Sequence, residues 1–116
     1  MTKREGLEQF LKPIFSRKPS SVTALDVSDL TSYTDIIIII TGTSTRQTKS
    51  IAEHIYKDLK NQGNKALGVE GMKEGSWVLI DFGWVIIHVF DDETNDLYDL
   101  NGLWADAPEI DLAPFE

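Results

Sequence analysis

Gly75-Ser76-Trp77-Val78-Leu79-Ile80-Asp81-Phe82-Gly83-Trp84-Val85-Ile86-Ile87-His88-Val89-Phe90 decides how this chain folds. Two runs of β-branched and aromatic residues flank Gly83-Trp84, which predicts a hairpin with a two-residue loop whose glycine supplies the positive φ of a type II′ turn. With Phe82 opposite Val85, a period of two sets Ile80 against Ile87 and Val78 against Val89. That face is wholly apolar. The other pairs Trp77 with Phe90, Leu79 with His88, and Asp81 with Ile86, mixing aromatic, aliphatic and titratable groups. The apolar face is expected to pack under helices and the mixed face to form a contact surface; a slip of one residue would exchange them.

Outward from the hairpin, Ile36 to Ile40 is a run of five isoleucines, suited to a central strand buried on both faces. Val22 to Val27 predicts a short strand before it, and Lys65 to Val69 another before the charged, glycine-containing turn of residues 70–75. Leu7, Phe10, Leu11 and Ile14 stand at helical spacing within residues 1–15. A second helix follows Thr41-Gly42-Thr43-Ser44: Ser44 and Gln47 match a capping box, Ile51, Ile55 and Leu59 recur every four residues, and Gly63 supplies a left-handed stop. Asp96 to Trp104 fits a short helix or an extended edge segment. The expected fold is α/β (mixed α+β), with a mixed sheet of about five strands and flanking helices. Residues 1–107 are expected to form one domain, and residues 108–116 a loosely held acidic tail.

The chain has 116 residues, is 41% hydrophobic and contains no cysteine, which excludes disulfides and thiolate chemistry. The isoleucine run is too short to span a membrane and the N-terminus lacks the apolar stretch of a signal peptide, so a cytoplasmic location is expected. The net charge of −8 is unevenly distributed: all 11 Lys and Arg lie at or before Lys73, and every residue charged at neutral pH from Glu74 onward is an acid. An acidic C-terminal half repels phosphate backbones and favours a basic partner, so no direct DNA binding is expected. The same half carries Trp77, Phe82, Trp84, Phe90, Tyr98 and Trp104. Aromatics of this kind are enriched at the centres of protein interfaces, although filling the core also accounts for Phe82 and Trp104.

Catalytic signals are weak. Thr41 to Ser44 joins strand to helix where an anion could sit, but it has one glycine where nucleotide-binding loops have two or three, and a serine-capped turn explains it. The carboxylates needed to hold divalent ions beside that loop are missing before Glu53. His54 and His88, with no cysteine, fall short of a zinc set, and Asp81 with His88 has no serine nucleophile beside it. No enzymatic activity and no cofactor are expected. A degenerate nucleotide-binding site at Gly42 to Ser44 and a self-association role for the mixed face remain alternatives.

Ala24-Leu25-Asp26-Val27, the Thr41 to Ser44 turn with Arg46, Gly68-Val69-Glu70-Gly71, the Trp77 to Gly83 and Val85 to Phe90 runs, and Leu97-Tyr98-Asp99-Leu100 with Leu103-Trp104 together resemble the Iojap or ribosomal silencing factor family. The resemblance covers residues 22–104. It implies a nucleotidyltransferase-like fold without that fold's catalytic carboxylates, and a homodimer. It also implies binding to the large ribosomal subunit through large-subunit ribosomal protein fourteen, which blocks small-subunit joining and lowers translation when nutrients are scarce. The contact residues it implies are Trp77, Asp81, His88, Tyr98, Leu103 and Trp104, with Glu70 and Gly71 beside them. Asn95, Asn101 and Trp84 depart from the family's usual Arg, Glu and Asp.

Overall fold

A computed structural model describes residues 3–91, 93, 102 and 104–115. Helix α1 (Lys3–Ser16) is followed by β1 (Ser21–Asp26), β2 (Ile36–Gly42), α2 (Thr45–Asn61), β3 (Gly68–Glu70), β4 (Trp77–Asp81) and β5 (Val85–Asp91); a 3-10 turn, Ala113–Phe115, lies near the end. The five strands form one mixed sheet in the order β1-β2-β5-β4-β3. β2 and β5 run parallel at its centre, and the other neighbours are antiparallel.

The isoleucine run becomes the strand with most buried surface. All seven residues of β2 are buried, because β1 and β5 cover its edges while side chains leave alternately from both faces. The hairpin keeps the expected register, Val78 opposite Val89 and Ile80 opposite Ile87. Gly83 closes its loop at φ +91°; the Phe82 N–H donates to the Val85 carbonyl at 2.9 Å, and the Gly83 N–H to Asp81 Oδ1 at 2.8 Å.

Both helices lie on one face of the sheet. Leu7, Phe10, Leu11 and Ile14 of α1 and Ile51, Ala52, Ile55 and Leu59 of α2 share a core with Ile36, Ile38, Ile40, Val78, Ile80, Val85, Ile87 and Val89. Ser44 caps α2 by accepting the Gln47 N–H at 3.1 Å, while Gln47 Oε1 accepts the N–H and hydroxyl of Thr43, one residue before the expected reciprocal position. At the other end the Gly63 N–H donates to Lys60 and the Asn64 N–H to Leu59, the paired bonds of a Schellman stop, with Gly63 at φ +89°.

Two expectations change. β3 begins at Gly68 rather than Lys65, because the α2 stop occupies the chain through Asn64 and Leu67 enters the sheet only by donating its N–H to the Asp81 carbonyl. Residues 108–112, expected to be loosely held, are bound to the sheet edge and the core. The Pro108 carbonyl accepts the Asp26 N–H at 2.9 Å, the Ile110 N–H donates to the Ala24 carbonyl at 2.8 Å, and Ile110 and Leu112 pack against the helical core. The outer edge of β1 supplied partners that composition does not reveal. The expected Asp96 to Trp104 element lies outside the described residues except at 102 and 104.

Candidate functional site

The strand registers assemble the mixed face as three rows. Ser21, Thr41, Phe90 and Trp77 form the first; Thr23, Ile39, His88, Leu79 and Glu70 the second; Leu25, Ile37, Ile86, Asp81 and Gly68 the third. Neither α1 nor α2 covers this face, since both pack on the other. On the β1–β2 side a smaller cluster of Leu25, Val27, Ile37, Ile39 and Phe90 is covered in part by Trp77, Trp104 and Ala107. The face is therefore a greasy floor near β1 that grades into half-exposed Trp77, Leu79 and Asp81 and exposed Glu70 near β3.

Trp77 and His88 are cross-strand diagonal neighbours on this face, and the Trp77 indole N–H donates to His88 Nδ1 at 3.0 Å. That bond places the proton of the neutral imidazole on Nε2. Both rings lie against Phe90: Trp77 is tilted 32° to it with centroids 4.9 Å apart, and His88 lies nearly parallel to it at 6.0 Å. His88 is only 9% exposed, and desolvation by burial lowers its pKa from 6.5 to about 4. It is thus a neutral acceptor that orients Trp77, and its buried ring contributes little contact area of its own. With its polar atom satisfied inside the fold, Trp77 presents the half-exposed part of its ring as apolar surface.

Gly71 holds this arrangement from behind. Its φ is +80°, and a Cβ there would stand 2.0 Å from the Trp77 carbonyl oxygen. The turn that delivers Trp77 to the sheet closes only over a residue without a side chain, with the Gly75 N–H donating to the Gly71 carbonyl at 2.9 Å. Asp81 spends Oδ1 on the hairpin turn while remaining half-exposed.

Of the residues singled out from sequence, Trp77, Asp81, His88 and Glu70 share the mixed face, Gly71 adjoins it, and Trp104 packs at its β1 side. Tyr98 and Leu103 lie outside the described residues. Phe82 and Trp84 belong elsewhere: both meet Phe10 of α1 edge-on, at 5.0 and 5.5 Å, on the helical side. Ala107 was not singled out, and a lone alanine in a polar stretch carries no signal that could have found it. At the Thr41 to Ser44 turn, the N–H groups of Thr43, Gln47 and Thr48 are taken by the chain's own acceptors. Among the described residues no group of three or more His, Asp or Glu stands where a metal could be held, and none of the helices is long and apolar enough to cross a membrane.

A sequence profile of the family described as ribosomal silencing factor during starvation matches residues 1–116. The chain belongs to the ribosomal silencing factor family. The ribosomal silencing factor RsfS of Halalkalibacterium halodurans is 33% identical over 112 residues, 97% of this chain and 96% of that protein. RsfS of Chromobacterium violaceum is 40% identical over 87 residues, 75% and 71% of the two chains. A crystal structure of a Chromobacterium violaceum protein superposes with a TM-score of 0.85 at 35% identity, covering 90% of this chain and 88% of that one. The family match and the likeness to ribosomal silencing factors in sequence agree with the resemblance read from the motifs.

Proposed function

We propose that this protein is a translational repressor of the cytoplasm, without catalytic activity or cofactor. It docks on the large ribosomal subunit through large-subunit ribosomal protein fourteen and obstructs joining of the small subunit when nutrients are scarce. Membership of the ribosomal silencing factor family along the whole chain carries this reading. The mixed face supports it physically. A half-exposed tryptophan whose polar atom is already satisfied suits the centre of an interface, and Asp81 and Glu70 beside it suit a basic partner. Trp77 is the apolar anchor in this reading, Asp81 and Glu70 the charged flank, His88 and Gly71 the supports that aim Trp77, and Trp104 the β1-side border; Tyr98 and Leu103 complete the proposed surface. The protein is proposed to be a homodimer when free.

Sucrose-gradient sedimentation with purified subunits tests this directly. The protein is expected to travel with the large subunit and to deplete the joined-ribosome peak when small subunits are added. Trp77→Ala and Asp81→Lys are expected to lower co-sedimentation by at least about tenfold, the loss typical of a central interface residue. Asp81→Asn, which keeps an oxygen for the Gly83 N–H, separates charge from turn geometry. Binding by Trp77→Ala and Asp81→Lys equal to that of the parent, with circular dichroism unchanged, would remove the proposed surface.

A further inference from the structure

The C-terminal segment crosses from one face of the sheet to the other. Trp104 and Ala107 pack on Leu25, Val27, Ile37, Ile39 and Phe90 of the mixed face, joined by a tight turn in which the Ala107 N–H donates to the Trp104 carbonyl at 2.9 Å. The chain then rounds the outer edge of β1. Pro108 accepts from Asp26, Glu109 bridges antiparallel to Leu25, and Ile110 donates to Ala24. Beyond that edge Ile110 and Leu112 join the core on the helical side, and the 3-10 turn Ala113–Phe115 lies against α1.

We infer that residues 108–112 act as a clasp whose hold on β1 and the helical core fixes Trp104 on the mixed face, making Pro108 and Ile110 positioning residues for that face. Composition marks this stretch as an acidic end, with Glu109 and Asp111 exposed. Its anchoring instead comes from backbone bonds and two aliphatic side chains. The clasp meets the sheet only at the edge strand β1, so one antiparallel bridge, made by the Pro108 and Ile110 backbone bonds, and the packing of Ile110 and Leu112 supply the grip. Trp104 stands four residues before the Pro108 bond, close enough that releasing the clasp frees its ring from the mixed-face cluster. The consequence for binding rests on the proposed function; the structural part does not.

Two readouts keep these apart. In proton–nitrogen NMR spectra the three indole N–H signals report separately on Trp77, Trp84 and Trp104. The full-length Ile110→Asp and Leu112→Asp variants are expected to move the Trp104 signal to an unfolded position. The Trp84 signal, from under α1, should stay, and Ile110→Val should match the parent. In co-sedimentation with large subunits the same two disruptive variants are expected to lose about tenfold or more in affinity, with Ile110→Val unaffected. A Trp104 signal unchanged in both full-length variants would overturn the clasp. A displaced signal with undiminished binding would overturn its role in binding. Failure of the parent itself to bind large subunits would remove the proposed function while leaving the clasp to be judged by the indole signals.

Discussion

His88 holds the Trp77 indole through Nδ1 in a site that water barely reaches, so a proton arriving there must displace that bond and bring charge into a desolvated place. Its pKa of about 4 in the folded chain lies below the ordinary 6.5 of the unfolded one. Between those values the unfolded chain binds the proton and the folded chain does not. The contribution of His88 is therefore complete above pH 6.5, shrinks as pH falls, and is gone near pH 4, with a size on the order of 3 kcal/mol. Urea unfolding from pH 7 to pH 4 is expected to show this slope in the parent and a shallower one in His88→Leu, the difference isolating the histidine from carboxylates titrating in the same range. Gly71 makes a second test by contrast with Gly63. Both have positive φ, but a Cβ at Gly63 meets nothing within 4 Å while one at Gly71 strikes the Trp77 carbonyl. Thermal unfolding should find Gly63→Ala costing about 1 kcal/mol and Gly71→Ala about 3 kcal/mol or more, since backbone strain and collision add. The motif resemblance put Gly71 beside a contact surface; that it shapes the turn under Trp77 follows only from where the chain returns to meet it.

Helices and hairpin were legible because their signals are local. The cap at Ser44, the stripe of Ile51, Ile55 and Leu59, the stop at Gly63 and the loop at Gly83 each depend on residues a few positions apart, and each formed where the spacing placed it. Ser44→Ala should cost about 1 kcal/mol in urea unfolding, the usual worth of an N-cap oxygen. Gln47 keeps its bonds to Thr43, so the loss should not double. What stayed hidden depended on distant partners. The late start of β3 is set by where Asp81 offers its carbonyl, and the docking of residues 108–112 by the free edge of β1. Trp84 shows the same limit: its place in an aromatic, acidic half suggested a contact surface, whereas α1 presents Phe10 to it from the other end of the chain.

Over the whole molecule, the helices that bring most of the Lys and Arg lie on one side of the sheet, while the strand rows of the mixed face carry Asp81 and Glu70 and no Lys or Arg. Association with large subunits should accordingly weaken as salt rises, by several-fold between about 50 and 200 mM, because screening shortens the reach of exposed charges. Affinity flat across that range would show that the acids play no part. The five-strand mixed architecture was readable from the run of elements, but the insertion of β5 between β2 and β4 was not, since nothing in either segment names its neighbour. That insertion bears on how the protein is made. The isoleucine strand ends at Gly42, yet its second flank is supplied only by Val85–Asp91. While translation crosses the interval between them, a nascent chain carries an oily ribbon covered along one border alone, open to chaperones or to its own siblings. Synthesis, more than the finished state, is where this small protein runs its greatest risk of clumping.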